Sequence, residues 1–199
     1  EWKWDGIRAQ IVKRAGQVWL WSRGEELITE RFPELAALGN ALPDGTVLDG
    51  EIVVWRSDAA PASLIAGKRP QTLPHPAPFA DLQKRIGRKA LGPKILRDLP
   101  AVFIAYDLLE HGGDDLRTMV QLARRITLEL LTTQIDVPQL VLSPRVTGAS
   151  WADLAQQREA SRAMGTEGFM LKQRGGAYGV GRTRDVGLWW KWKIDPMSV

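Results

Sequence analysis

Glu1-Trp2-Lys3-Trp4-Asp5-Gly6-Ile7-Arg8 opens the chain. Read as an extended segment, its period of two puts Glu1, Lys3 and Asp5 on one side and Trp2 and Trp4 on the other. A compact amine against an apolar backing is the setting a nucleophilic lysine requires. Partial desolvation, or a neighbouring cation, disfavours its charged form. A lone K-x-D-G is more often a surface strand carrying a solvated lysine. What distinguishes this one is the order of polar segments downstream.

Working outward, the 199 residues suffice for one sizeable core. Apolar and charged fractions of 44% and 25% are those of an ordinary globular protein. No apolar run approaches the roughly 18–20 residues that span a bilayer, and nothing resembles a signal peptide. The absence of cysteine excludes disulfide staples and cysteine-ligated metal, and it fits a reducing interior. A net charge of +4 permits a polyanionic partner without demanding one. The nine tryptophans, several alternating with lysine or leucine, are expected mostly on core faces of strands.

Residues 7–13 and 18–22 read as strands joined by a turn at Ala15-Gly16. Phe32, Leu35, Ala36, Leu38 and Leu42 recur at helical spacing, with Pro33 in the first turn. Residues 47–55 form an apolar strand broken by Asp49-Gly50-Glu51, a local inconsistency of the kind that marks functional sites. Residues 57–78, rich in Ala and Pro, predict a long loop. Phe79, Leu82 and Ile86 mark a helix whose outer face carries Lys84, Arg85, Arg88 and Lys89, either solvated or touching a phosphate backbone. A strand over 101–109 closes at the His111-Gly112-Gly113 turn. Leu122, Ile126 and Leu130 predict the apolar face of another helix, and 140–146 another strand. Ser150-Trp151-Ala152-Asp153 is a capping box opening a helix to about Met164. A strand over 167–172, a glycine-rich loop through 175–187 and a strand over 188–194 complete the chain. In the last strand Trp190, Trp192 and Ile194 share one side, Lys191 and Lys193 the other. Without a regular βαβ repeat, this pattern predicts an α+β fold with largely antiparallel sheets flanked by helices.

The polar interruptions of these strands form a set: Lys3, Asp5, Arg8, Arg23, Asp49, Glu51, Tyr106, Asp107, Glu167, Lys172, Lys191 and Lys193. Such a set suits a nucleoside triphosphate with a divalent metal. Cations neutralise phosphate oxygens, hard carboxylates hold Mg²⁺, and an aromatic face stacks a base.

In their order, these segments resemble the adenylation domain of ATP-dependent DNA ligases, a covalent nucleotidyltransferase family, and the bacterial type in particular. Residues 1–8 look like the nucleophile motif and Ser22-Arg23 the second. Asp49-Gly50-Glu51 resembles the third, residues 103–109 the aromatic motif, residues 167–172 the fourth and residues 190–193 the fifth. The resemblance runs from residue 1 to about 196. It implies an ATP-grasp-like nucleotidyltransferase fold, with residues 1–199 as the adenylation domain, and it implies roles. Lys3 attacks the α-phosphorus of ATP, giving lysyl-AMP and pyrophosphate. Glu1 reads the adenine amino group, Tyr106 stacks the base, and Met170 forms the opposite wall. Arg8 and Arg23 hold ribose or phosphate, and Lys172 contacts phosphate. Glu51 contacts ribose or metal, Glu167 holds Mg²⁺ or Mn²⁺, and Asp5 orients Lys3 or the metal. Lys191 and Lys193 grip the α-phosphate and lower the pKa of Lys3 by repulsion.

The implied partner is nicked duplex DNA, in a cytoplasmic, nucleoid-associated monomer without membrane attachment. The family's N-terminal extension and its trailing OB-fold barrel are expected outside these 199 residues, so complete nick sealing is not expected of them alone. Two other readings stand beside this one: an RNA ligase or GTP-dependent capping guanylyltransferase, and a non-catalytic nucleic-acid-binding remnant. Plainer roles also stand for single residues: Tyr106 and Met170 as core, Asp49 as a turn cap, Asp107 as partner to a structural arginine.

Overall fold

A computed structural model describes residues 1–55, 76–88, 90–135, 137–179 and 188–194. Two sheets carry the chain. The larger is built from β2 (Ile7–Arg14), β3 (Gln17–Ser22), β4 (Thr46–Val54), β5 (Ala101–His111) and β6 (Asp114–Asp115) in the order β3-β2-β4-β5-β6. These pair antiparallel, while β7 (Leu140–Leu142) adds to β5 in parallel. The smaller sheet sets β1 (Trp2–Trp4), β8 (Thr166–Lys172) and β9 (Trp189–Lys193) in the order β1-β8-β9. The α+β, largely antiparallel architecture is as expected.

The central strands are buried on both faces, so they read as continuous apolar runs rather than alternating ones. Ile52 and Val54 of β4, with Phe103 and Ala105 of β5, face the main core. There they meet α1 (Pro33–Asn40), α2 (Phe79–Ile86) and α4 (Gln121–Gln134) through Leu35, Leu82 and Leu128. Val53, Val102 and Ile104 turn the other way onto Trp4 and Trp55. Trp4 thereby docks the small sheet on the large one, and its indole donates to Ser143 Oγ at 3.0 Å. The remaining helices, α3 (Pro93–Asp98) and α5 (Trp151–Glu159), bury no residue fully. Ser150 caps α5 as its capping box predicts, accepting from the Asp153 amide at 3.1 Å.

Several expectations are corrected. Of the tryptophans in the described residues, only Trp4 and Trp55 are buried; Trp21, Trp151 and Trp190 are exposed, because they sit on outward positions of edge strands and a helix. Arg85 is not on an outer face. It is 1% exposed and bonds Glu34 with both terminal nitrogens at 2.6 Å, tying α2 to α1. On α4 the predicted apolar face is rotated: Ile126 and Leu130 are exposed, and the buried stripe is Arg124, Arg125, Leu128 and Leu131. Periodicity of apolar residues misses a stripe whose inward cations are neutralised by distant carboxylates. The 140–146 strand ends at Leu142, and α5 stops at Glu159 rather than Met164. Lys89, most of the 57–78 loop and part of the 175–187 loop lie outside the described residues.

Candidate active site

Two motif glycines hold the strands close enough to build a cleft. A Cβ on Gly6 would stand 2.3 Å from the Ile52 carbonyl, so only glycine lets the chain pass from β1 into β2 against β4. Gly168 has φ of +126°, and a Cβ there would lie 2.2 Å from the Trp192 carbonyl. Hydrogen bonding then fixes the register, with the Met170 amide donating to the Glu1 carbonyl at 2.8 Å.

Between the sheets lies a narrow cleft. From the small sheet it is lined by Glu1, Lys3, Met170, Lys172 and Lys191. The large sheet contributes Arg8, Glu51 and Tyr106, with Arg23 just beyond β3. An adjoining open depression shares Lys3, Arg8, Arg23 and Glu51 and adds Asp5 and Glu167. Lys193 reaches the same ground through Glu167, at 3.2 Å. The structure thus brings every sequence-predicted site residue to one connected region.

The charges are mutually compensated. Lys3 Nζ bonds the Glu167 carboxylate, and Lys193 bonds the same oxygen. Partial burial pushes Glu167 up, but the two lysines outweigh it and hold its carboxyl below the usual value. Burial, then the repulsion of Lys3, Arg23 and Lys193, pushes the Lys191 ammonium down. Asp5 is raised by burial and by Glu167. Glu51 lies deeper: burial raises it to about 8, against the opposing pull of Lys3.

At the other end of the cleft, Glu1 bonds Lys172 Nζ at 2.9 Å and Arg125 Nη1 at 2.9 Å. Lys172 also donates to the Tyr106 carbonyl and sits 4.9 Å from the Tyr106 ring and 4.3 Å from the Trp189 ring. It therefore stands at the Glu1–Tyr106 end of the cleft, not in the cluster around Lys3. Asp49, fully buried, is no turn cap: it takes Arg8 at 2.7 Å and the Tyr178 hydroxyl at 2.8 Å. Asp107 pairs with the structural Arg124 at 2.8 Å.

Sequence reasoning missed Trp189 and Tyr178. The period of β9 already put Trp189 on the side of Lys191 and Lys193. Tyr178 had no signal, because only tertiary folding brings residue 178 to Asp49 across 129 positions. Among the described residues no cluster of three metal-ligating side chains stands together. Mg²⁺ keeps several waters and is held by one or two carboxylates plus substrate phosphates. Glu167 and Glu51 supply hard oxygen donors beside Lys3.

An antiparallel two-sheet α+β domain with this lysine-centred cleft defines a nucleotidyltransferase-type fold. The model of the ATP-dependent DNA ligase domain family matches residues 1–193. The chain belongs to that family. It is 33% identical over 217 residues to a probable DNA ligase of Opitutus terrae, covering 96% of this chain and 20% of the relative. The ligase domain from M. tuberculosis LigD is 31% identical with a TM-score of 0.68, over 95% of this chain and 52% of that one. A mycobacterial DNA ligase D complexed with ATP and MES is 32% identical, also at 0.68, with the same coverage. The chain spans about a fifth to a third of the length of the curated relatives it matches, 20% of one and 32% of another. Among the described residues no helix is long and apolar enough to cross a membrane.

Proposed function

We propose that this domain charges Lys3 with AMP from ATP and passes the AMP to the 5′-phosphate of a DNA nick. The observation that carries the reading is the convergence of Lys3, Glu51, Tyr106, Glu167 and Lys191 from separate segments on one connected cleft. The neutral Lys3 amine attacks the α-phosphorus. A nitrogen–phosphorus bond forms, the bond from the α-phosphorus to the α–β bridging oxygen breaks, pyrophosphate carries away that electron pair, and the nitrogen, cationic after the attack, loses one proton to water. In such in-line transfer the protein chiefly positions the reactants and neutralises charge. Lys191 and Lys193 hold the α-phosphate oxygens, Arg8 and Arg23 take ribose or phosphate, and Asp5 orients Lys3. Tyr106 stacks the base against Met170, while Glu1 accepts from the adenine amino group, with Lys172 beside it. Glu167 and Glu51 would hold Mg²⁺ or Mn²⁺, which supplies charge neutralisation at the triphosphate.

Binding exchanges partners. Phosphate oxygens take over Lys193, and Lys3 leaves Glu167 to face the α-phosphorus, so that Glu167 would be free to hold the metal. Sealing itself is assigned to the longer protein, a cytoplasmic, nucleoid-associated monomer, with an OB-fold barrel orienting the leaving group over nicked duplex DNA. The small share of each relative that the chain covers supports this division.

The test is incubation with α-labelled ATP and Mg²⁺, followed by intact mass and peptide mapping. Label is expected on Lys3 and absent from Lys3→Ala. Equal labelling of that variant overturns the proposal. Competition between ATP and GTP, and between nicked DNA and nicked RNA, tests the substrate.

A further inference from the structure

Arg125 lies on α4, outside every segment that carries the nucleotidyltransferase resemblance. Its side chain is 4% exposed. All three guanidinium nitrogens are engaged: Nη1 with Glu1 Oε1 at 2.9 Å, Nε with Glu129 at 2.7 Å, and Nη2 with the Ser143 carbonyl at 2.8 Å. Ser143 is itself pinned. Its amide donates to the Ala105 carbonyl at 2.8 Å and its hydroxyl accepts from Trp4. The guanidinium therefore ties Glu1 to the β5 backbone one residue before Tyr106.

We propose that Arg125 is a positioning residue for base recognition, holding the Glu1 carboxylate where it accepts the exocyclic amino group of adenine. The inference rests on the reading of the cleft as an ATP site. A carboxylate has about four lone-pair positions, and Arg125 and Lys172 take one on each oxygen. What remains toward the cleft is acceptor only. Such a group suits the 6-amino donor of adenine and opposes the 6-oxo acceptor of guanine. Without Arg125 the Glu1 carboxylate keeps only the Lys172 ammonium, on one oxygen, and can pivot about that single contact. A planar guanidinium fork fixes direction, which a point-charge ammonium does not.

The test compares ATP with purine riboside triphosphate, which lacks only the 6-amino group, in wild type, Arg125→Gln and Arg125→Lys. Labelling rate at subsaturating nucleotide is read alongside nucleotide affinity from tryptophan fluorescence. Wild type should prefer ATP. Arg125→Gln should lose on the order of 10- to 100-fold with ATP and little with the analogue, collapsing the preference. Arg125→Lys should recover part of it. Equal losses with both nucleotides would mean a structural role and overturn the inference, as would a preference that survives in Arg125→Gln. Where Arg125→Gln does not fold, Arg125→Lys is judged by the same ratio. A wild type that takes both nucleotides equally overturns the adenine reading itself, and one that neither binds nor labels removes both.

Discussion

Replacing Arg124 by Met should cost this fold a large part of its stability. Arg124 and Asp107 are both 0% exposed. The guanidinium meets Asp107 at 2.8 and 2.9 Å and donates a third bond to the Met119 carbonyl at 2.6 Å. Removing the cation leaves a carboxylate without its partner in a dry site, a change that costs about 3–5 kcal/mol. Against a total of roughly 5–15 kcal/mol, that is a large share. With a urea slope of about 2–3 kcal/mol/M for a chain of this size, the unfolding midpoint should fall by roughly 1–2 M. Asp107→Asn should lose a comparable amount, because it strands the arginine instead.

The double variant separates the pair from its surroundings. With both charges gone, neither is stranded, and the combined loss should undershoot the sum of the single losses by about 2 kcal/mol. Chemical denaturation of all four proteins followed by tryptophan fluorescence supplies the cycle. Additive losses within about 0.5 kcal/mol, or single losses below about 1 kcal/mol, would refute the reasoning.

Glu51 gives a pH signature in nucleotide- and metal-free protein. Burial raises its folded pKa to about 8 from 4.5, so its contribution is fully present below 4.5 and is lost as pH rises through 8. The ceiling is roughly 5 kcal/mol at about 1.4 kcal/mol per pH unit, and Glu51→Gln should flatten the profile between pH 5 and 9; identical profiles for the two proteins would contradict it. Gly168→Ala forces a Cβ to 2.2 Å from the Trp192 carbonyl at a φ of +126°. It should cost on the order of 3 kcal/mol and weaken ATP binding through β9, whereas an unchanged thermal midpoint would show that the strands do not approach so closely.

Sequence made the site more legible than the packing beneath it. A period of two in short strands separates Lys3 from Trp4 and Lys193 from Trp192, and no tertiary detail can reverse that division once the segments are extended. Polar residues inside apolar runs, such as Asp49 and Glu51, violate local consistency and so announce themselves. Arg85, Arg124 and Arg125 did not. On a helix an arginine reads as solvated unless its partner is known, and here the partners that lie off the helix are 51, 17 and 124 positions away. Ile126 and Leu130 misled for the converse reason, since an exposed apolar side chain is common and carries little information about which face packs.

The two consecutive arginines of α4 explain why that helix faces inward as it does. Arg124 takes the carboxylate immediately after Tyr106, and Arg125 takes the carboxylate two residues before Lys3. One helix thus braces an aromatic face from the large sheet and an acceptor from the small one. Lys172 joins the sheets at this end as well, through the Tyr106 carbonyl, while Trp4 and the passage through Gly6 join them elsewhere along the cleft. Lys3 and Lys193 share one partly exposed partner, with Lys193 53% exposed and Glu167 33% exposed. The charges around Glu1 are nearly dry, at 4%, 5% and 8% for Arg125, Lys172 and Glu1. Screened pairs exchange partners cheaply, whereas desolvated ones do so at high cost. The cleft therefore combines a rigid end with an exchangeable one, which under the proposed function would serve the base and the reacting triphosphate respectively.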